Sequence, residues 1–429
     1  MKKAIAVALT CAAFVQPAIA QETPARTYVH AGRLLADPAS GRVETEKTIV
    51  VERGKVVEIR DGYVGEGKVV DLRDAFVMPG LIDSHVHLTF ESSPPSRLDA
   101  VTKSTTDQAF DGVVYAGRTV RAGFTTVVDL GASMEAIKAL RDATASGKIV
   151  GPRIIAAGGV AAHGGHGDAH GYRQEIIDLF RSPTLCSGAD DCARAVRQAI
   201  QSGADIIKTA STGGVMSNTA AGLGQQMSDA ELVSIVETAH RLGRKVAAHA
   251  HGTDGVNAAL RAGVDSVEHG TFMDPESIRL FKAKGSYLVP TLLAGDTVAR
   301  QADTADWMPE PVRVKARTVG PLMVDALRRA HQGGVKIAFG TDSAVSKHGE
   351  NGREFALMVK AGMTPLDTIR AATVWGATHI GLENEIGSIA AGKAADIVAV
   401  RGDPLKDVTQ LESMHFVMMG GAVVRPAGE

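Results

Sequence analysis

Residues 81–88 read LIDSHVHL. His85 and His87 stand two apart inside this apolar run, and on a strand residues i and i+2 point to the same side. Two imidazoles side by side at one end of a buried strand make a donor pair for a divalent cation. The same chemistry recurs along the chain. His249 and His251 close KVAAHAHG, His269 closes DSVEHG, and Asp342 stands in KIAFGTDS. Lys208 stands in ADIIKTAS, an apolar run that reads as a buried strand. A buried ammonium is costly and tends to lose its proton. Lys208 is therefore either half of a structural ion pair or a neutral amine open to carbon dioxide, giving a carbamate whose two oxygens could bridge two cations. A lone histidine in such a place reads as a hydrogen-bonded core residue, whereas five of the 14 histidines at the ends of apolar runs read as a site.

Such residues need elements that bring their ends together. Eight short apolar runs recur: LIDSHVHL, FTTVVDLG, PRIIAAGG, ADIIKTAS, KVAAHAHG, DSVEHG, SYLVPTL and KIAFGTDS. Between them lie segments of helical periodicity that end in Gly, such as SDAELVSIVETAHRLG and GTDGVNAALRAG, with Ser228 and Thr253 placed to cap them. Eight strand-helix units predict an α/β protein with a (β/α)8 TIM-like barrel over residues 79–384. In that architecture functional groups sit at the C-terminal ends of the strands, which is where these histidines fall. An open doubly wound sheet is the rival. It carries a Gly-rich phosphate turn after its first strand. Here the Gly-rich stretch GVAAHGGHG follows the third run and no GxGxxG helix comes after it, which also disfavours a dinucleotide enzyme. Residues 21–78 and 385–429 both read as short β runs, and together they predict one small β-sandwich domain formed by both termini.

The bulk numbers bound the partners. A chain of 429 residues, 45% apolar, with 47 glycines and only 4% aromatics, suits many tight strand-to-helix turns. A net charge of -2 without long runs of one sign gives no reason to expect nucleic acid or a membrane surface, and no run after the leader is long enough to insert in a membrane. Residues 1–20 read as a signal peptide, with a basic MKK, a short apolar stretch and a small-x-small site for cleavage after Ala20. A first core helix is the plain alternative, and a lipoprotein reading through Cys11 is disfavoured by Thr10. The expected location is periplasmic or secreted. Cys186 and Cys192, in LCSGADDC, then form a local disulfide or a metal pair; the absence of another close histidine or cysteine favours the disulfide.

MPGLIDSHVHL, the lysine of ADIIKTAS, HAHG, EHG and FGTDS, in this order, resemble the amidohydrolase superfamily over nearly the whole chain after residue 20. The resemblance implies two divalent metal ions, zinc above all, with cobalt, manganese or iron as alternatives. Carried over by position, His85, His87 and Asp342 hold one ion, His249 and His269 the other, and a carboxylated Lys208 bridges both. It further implies attack on a carbonyl by a metal-bridging hydroxide, with Asp342 moving the proton. His251 is then a donor to the developing oxyanion, or else a hydrogen-bond partner of a metal ligand. Within the superfamily the chain looks most like the dipeptidase and carboxypeptidase-like branch related to imidazolonepropionase, and like ochratoxin-hydrolysing amidohydrolases. That likeness implies cleavage of the amide to a C-terminal amino acid in dipeptides or N-acyl amino acids.

His163, His166 and Tyr172 in AAHGGHGDAHGYR, and the backbone around Val215 and Met216 in STGGVMS, are candidates for substrate contact. A Gly-built turn with solvated histidines is the alternative for the first. No arginine stands in an obvious carboxylate-clamp position. Loops around residues 291–306 and 345–353, with Trp307 and Met308 nearby, should shape the pocket. A lactonase, a cyclic-amide hydrolase or an imidazolonepropionase-like enzyme would use the same ligands. A non-catalytic metal-binding relative should have lost some of them, and all six are present. By analogy the protein is expected to be a homo-oligomer.

Overall fold

The computed structural model describes residues 26–169, 172–217 and 222–428, so the leader read over residues 1–20 lies outside the described residues. The chain begins with alternating runs that pair as β1 (Thr27–Leu34), β2 (Glu44–Glu52), β3 (Lys55–Asp61) and β4 (Lys68–Pro79). β4 continues, after Gly80 alone, into β5 (Leu81–Val86). Then follow β6 (Phe124–Asp129), β7 (Arg153–Ala162), β8 (Leu185–Cys186), β9 (Ile206–Ala210), β10 (Val246–Ala250), β11 (Ser266–His269), β12 (Tyr287–Val289) and β13 (Lys336–Ile337). The chain ends with β14 (Ile397–Val400), β15 (Phe416–Met419) and β16 (Ala422–Arg425).

The first four and last three strands form one sheet in the order β16-β15-β14-β4-β1-β2-β3. It is antiparallel except for the β1–β4 pair. The sheet curls over itself: Val56 N–H donates to Lys393 O at 3.0 Å and Ala395 N–H to Gly54 O at 2.9 Å. Val29, Leu34, Ile49, Leu72, Val77, Ile397 and Phe416 fill the fold between. Both termini thus build one small sandwich.

The eight apolar runs of the middle form parallel strands in the order β13-β12-β11-β10-β9-β7-β6-β5, with the short β8 beside β7. The first and last of these meet, with Ser84 N–H on Phe339 O at 2.8 Å, Asp342 N–H on His85 O at 2.8 Å and His87 N–H on Ser343 O at 2.9 Å, which closes the barrel. Helices cover the outside, among them Thr105–Arg121, Ala189–Gln201, Asp229–Arg241, Thr253–Ala262, Pro275–Lys284 and Glu310–Gln332. None of the described helices is long and apolar enough to cross a membrane. Fully buried Phe124, Phe339 and Phe355 stack where strand and helix layers meet, with ring centroids 5.4 Å and 4.5 Å apart. Each such ring contributes roughly 2 kcal/mol by leaving water.

Ser228 caps its helix, accepting from Glu231 N–H while the Glu231 carboxylate accepts from Ser228 N–H. Thr253 does not cap. It is the first residue of its helix, behind Gly252, and its hydroxyl donates instead to Phe272 O at 2.6 Å, tying down the turn after β11. Residues 291–306, expected as loop, contain the helix Leu292–Thr304. Its N-terminus is held by a carboxylate remote in sequence, described below, and no local cap signals it.

The pleat sets the depth of the functional side chains. Val128, Ala157, Ile206 and Ala247 form a small apolar cluster of their own, distinct from the main core. Lys208 follows Ile206 by two residues and His249 follows Ala247 by two, so both project on the same face, one layer nearer the strand ends.

Candidate active site

Asp342 stands between the two histidines of the first barrel strand. Its Oδ1 lies 3.0 Å from His87 Nε2 and 3.5 Å from His85 Nε2. From β10 and β11 the rings of His249, His251 and His269 join them: centroid distances are 5.3 Å for His85–His269, 4.6 Å for His249–His269 and 4.8 Å for His251–His269. His249, His251 and His269 offer ligand atoms within 4.8 Å of one another, and so do His85, His269 and Asp342. The two groups share His269. Lys208, half-buried on β9, feels the charges of Asp342 and Glu268.

The backbone is strained here. Six described non-glycine residues have positive φ, and four of them, His269, Thr291, Asp342 and Ala344, lie at this mouth. Such conformations cost of order 1–3 kcal/mol each and persist where the surroundings enforce them. One enforcer is Glu354. Fully buried, it accepts Leu292 N–H at 2.9 Å and Leu293 N–H at 2.6 Å, the free donors of the helix Leu292–Thr304. That fixes Thr291 at φ 50°, with Oγ1 2.6 Å from His269 Nδ1. Burial pushes the Glu354 carboxyl up to about 8.

Each ring is oriented from behind. His85 Nδ1–H donates to the Glu268 carboxylate at 2.8 Å, whose other oxygen accepts Ser266 Oγ–H at 2.7 Å. His87 Nδ1–H donates to Gly131 O at 3.0 Å, and His249 Nε2–H to Gly213 O at 3.2 Å. The Thr291 hydroxyl donates to Pro290 O at 2.8 Å, so it accepts from His269 Nδ1–H. His85, His249 and His269 therefore keep their second nitrogen as a lone pair, whereas His87 Nε2 faces the Asp342 carboxylate at 3.0 Å, a pairing that raises the ring's hold on a second proton. His251 differs: its Nδ1 lies 2.8 Å from Thr271 Oγ1, which has no other acceptor among the described residues, so Nε2 can carry the proton. Asp83, fully buried and pushed up to about 6, locks the β5 end by accepting Thr341 Oγ1–H at 2.7 Å, Asn351 Nδ2–H at 2.8 Å and His85 N–H at 3.1 Å.

Burial is the main force on protonation. It holds His249 and His269 well below the usual histidine range and His251 at about 3, with mutual repulsion between the rings adding to it. It likewise lowers the Lys208 ammonium, against the pull of Glu268 and Asp342. Burial alone would raise Asp342, but His85, His87 and His269 outweigh it and keep the carboxyl well below its usual range. Burial favours neutral imidazoles at His85, His249, His251 and His269 and a neutral Lys208. With the Asp342 carboxylate, these are the protonation states that divalent cations require. Such cations would displace the proton that Asp342 favours on His87. The donor set fits them.

The other predicted residues divide. His166 stacks on His249 with centroids 4.1 Å apart, and its Nδ1 lies 2.6 Å from Ser217 Oγ. Val215 is buried in the loop that carries Ser217, and Met216 there is exposed. His163 is exposed and belongs instead to the neighbouring Cys186–Cys192 disulfide loop, through Cys186 O and Ser187 Oγ. Tyr172 is exposed and packs edge-on against Phe180. Met308 and Trp307 pack with Ala305 and Val312 in a separate cluster. Sequence reading missed Glu268, Thr271, Thr291 and Glu354. Of these only Glu268 carried a signal, as the acid next to His269 in EHG.

The pattern of the amidohydrolase family matches residues 76–424. Ochratoxinase of Aspergillus niger is 31% identical over 373 residues, which are 82% of this chain and 76% of that enzyme. Among solved structures, a Xaa-Pro dipeptidase with methionine bound in its active site is 40% identical, with a TM-score of 0.88 over 93% of this chain and 99% of that one. A prolidase complexed with N-methylphosphonate-L-proline is 28% identical, with a TM-score of 0.84 over 94% of this chain and 100% of that one.

Proposed function

The chain belongs to the amidohydrolase family and is a hydrolase acting on amide bonds; on that premise we propose that it cleaves the amide to a C-terminal amino acid in dipeptides or N-acyl amino acids, ochratoxin A-type amides included. The observation that carries the reading is the cluster of five buried or nearly buried imidazoles around Asp342 and Lys208, three of them with a lone pair left over. The ligands named for the dipeptidase and prolidase support the substrate class, since methionine and a proline derivative are C-terminal amino acids or their analogues.

His85, His87 and Asp342 would hold one divalent ion, and His249 and His269 the other. Lys208, whose amine adds carbon dioxide and loses a proton to become a carbamate, would join them. Bound there, two ions, zinc in this reading, supply a water ionised near neutral pH and a Lewis acid for the carbonyl. The chain does the rest. Asp342, kept ionised by its imidazole neighbours, accepts the proton of the attacking water and returns it to the leaving nitrogen. His251 donates Nε2–H to the oxyanion, Thr271 holding its ring in that tautomer. We also propose export to the periplasm or medium. The leader-like residues 1–20 motivate it, and the Cys186–Cys192 disulfide is consistent with an oxidising compartment.

The test is a hydrolysis panel on signal-free protein with and without chelator: dipeptides, N-acyl amino acids and ochratoxin A against lactones. Chelator-sensitive release of a C-terminal amino acid is expected. Lactone opening without amide cleavage would overturn the substrate class while leaving the metal site standing.

A further inference from the structure

We infer that Lys315 is the cation that receives the free carboxylate of the substrate's C-terminal amino acid; the inference rests on the substrate class proposed above. Lys315 lies on the helix Glu310–Gln332, and its half-buried ammonium reaches the rim of the site. There Nζ donates to Gly214 O at 2.9 Å and to Ser217 O. An ammonium has three donors, so one is left. No carboxylate lies within ion-pair distance of Lys315 among the described residues. Its neighbours two positions away differ. Arg313 donates to Ala302 O at 2.7 Å with Glu310 at 3.8 Å, and Arg317 donates to Asp303 at 2.9 Å. At the mouth, Arg353 is paired with Glu350 at 2.7 Å. A cation drawn partly out of water without a counter-charge is costly, and an incoming anion relieves that cost.

The surroundings fix the position of that ammonium. The loop 213–217 is pinned on its other side by Gly213 N–H on Gly224 O at 3.2 Å. Its carbonyls at Gly214 and Ser217 turn to Lys315 and hold the ammonium in place. The placement also matches the reaction. Gly214 lies against the His166 ring, where an added Cβ would stand 2.5 Å from it, and His166 stacks 4.1 Å from His249. In a dipeptide the terminal carboxylate lies about one residue, ~3.8 Å, beyond the scissile carbonyl. Lys315 reaches the cluster through Gly214 and His166, and its charge is felt at His251.

The test compares each N-acyl amino acid with its C-terminal carboxamide, which keeps the scissile bond and lacks the charge. A charged hydrogen bond is worth about 1.5–3 kcal/mol, so Lys315→Met should cut the preference for acid over carboxamide by about 10- to 100-fold, through KM. Lys315→Arg should restore most of it. In parallel, calorimetric titration of L-phenylalanine and L-phenylalaninamide into the metal-loaded protein should show the acid bound more tightly by the native protein and Lys315→Met losing that difference. Equal losses on acid and carboxamide would overturn the proposal and leave Lys315 a brace for the loop. A protein that cleaves neither substrate yet discriminates the two ligands through Lys315 would overturn the hydrolytic reading and keep the subsite.

Discussion

Glu354→Gln should flatten the alkaline loss of stability of the metal-free protein. Glu354 is fully buried and its carboxyl is pushed from an ordinary 4.5 up to about 8. The folded protein therefore holds this proton more tightly than the unfolded chain does. The resulting stabilisation is fully present below the unfolded value and is lost as pH rises through about 8. The full difference is about 5 kcal/mol at ~1.4 kcal/mol per unit. At pH 7 on the order of 1 kcal/mol of it remains and at pH 9 close to none, so the native protein should lose on the order of 1 kcal/mol from this group over that interval. Gln accepts one of the two N–H groups of Leu292 and Leu293 and leaves the other facing its amide, so the variant starts about 1–3 kcal/mol less stable. Its slope, though, should lack the Glu354 contribution. The assay is urea unfolding in chelator at pH 7, 8 and 9, read as the midpoint difference between native and variant protein. A difference that stays constant across that range would refute the claim that Glu354 is protonated at neutral pH.

Asp342→Asn should keep the fold and lose about 10²- to 10⁴-fold in kcat, as a removed general base does, while bound metal measured by plasma emission falls less than activity; native turnover in that variant would remove Asp342 from proton transfer. Lys208→Ala should lose metal and activity together and regain part of both in millimolar acetate, and the native protein should show a carbamate resonance after equilibration with ¹³C-bicarbonate. Full metal content in Lys208→Ala would end the bridging role. Glu268→Gln should weaken metal affinity about 10- to 100-fold in chelator competition, because His85 loses the carboxylate 2.8 Å from Nδ1; unchanged affinity would reduce Glu268 to a packing residue.

The clustering of these side chains was legible because the pleat is local. HVH, HAH and the EHG histidine needed only a period of two and a strand end to be placed in one layer. What stood behind them was illegible because their partners are remote. Glu268 meets His85 across 183 positions, and Glu354 reaches Leu292 across 62. Lys315 joins Gly214 across 101. Nothing in VRVKARTV distinguishes Lys315 from any other solvated lysine of a charged helix. The helix Leu292–Thr304 escaped notice for the same reason, since its N-terminal donors are satisfied by tertiary structure. Thr253 was misread as a cap because a hydroxyl before a helical run has the same spelling whether it turns to its own helix or to the next loop. The histidine-rich stretch divided because Gly-built turns let neighbours diverge, His166 onto His249 and His163 onto the disulfide loop.

The single residue between β4 and β5 ties the first two histidines to the end of the chain. A Cβ at Gly80 would fall 2.2 Å from Thr125 Oγ1, and its N–H donates to Asp396 O at 2.9 Å, so the joint has no room to flex. β4 in turn is covered along one edge by β14, Met78 opposite Val398. A nascent chain therefore carries His85 and His87 on a strand whose neighbour edge stays bare until nearly everything else has been synthesised. Pairings this distant form late and slowly. The final placing of the histidine pair follows as one of the last events of folding.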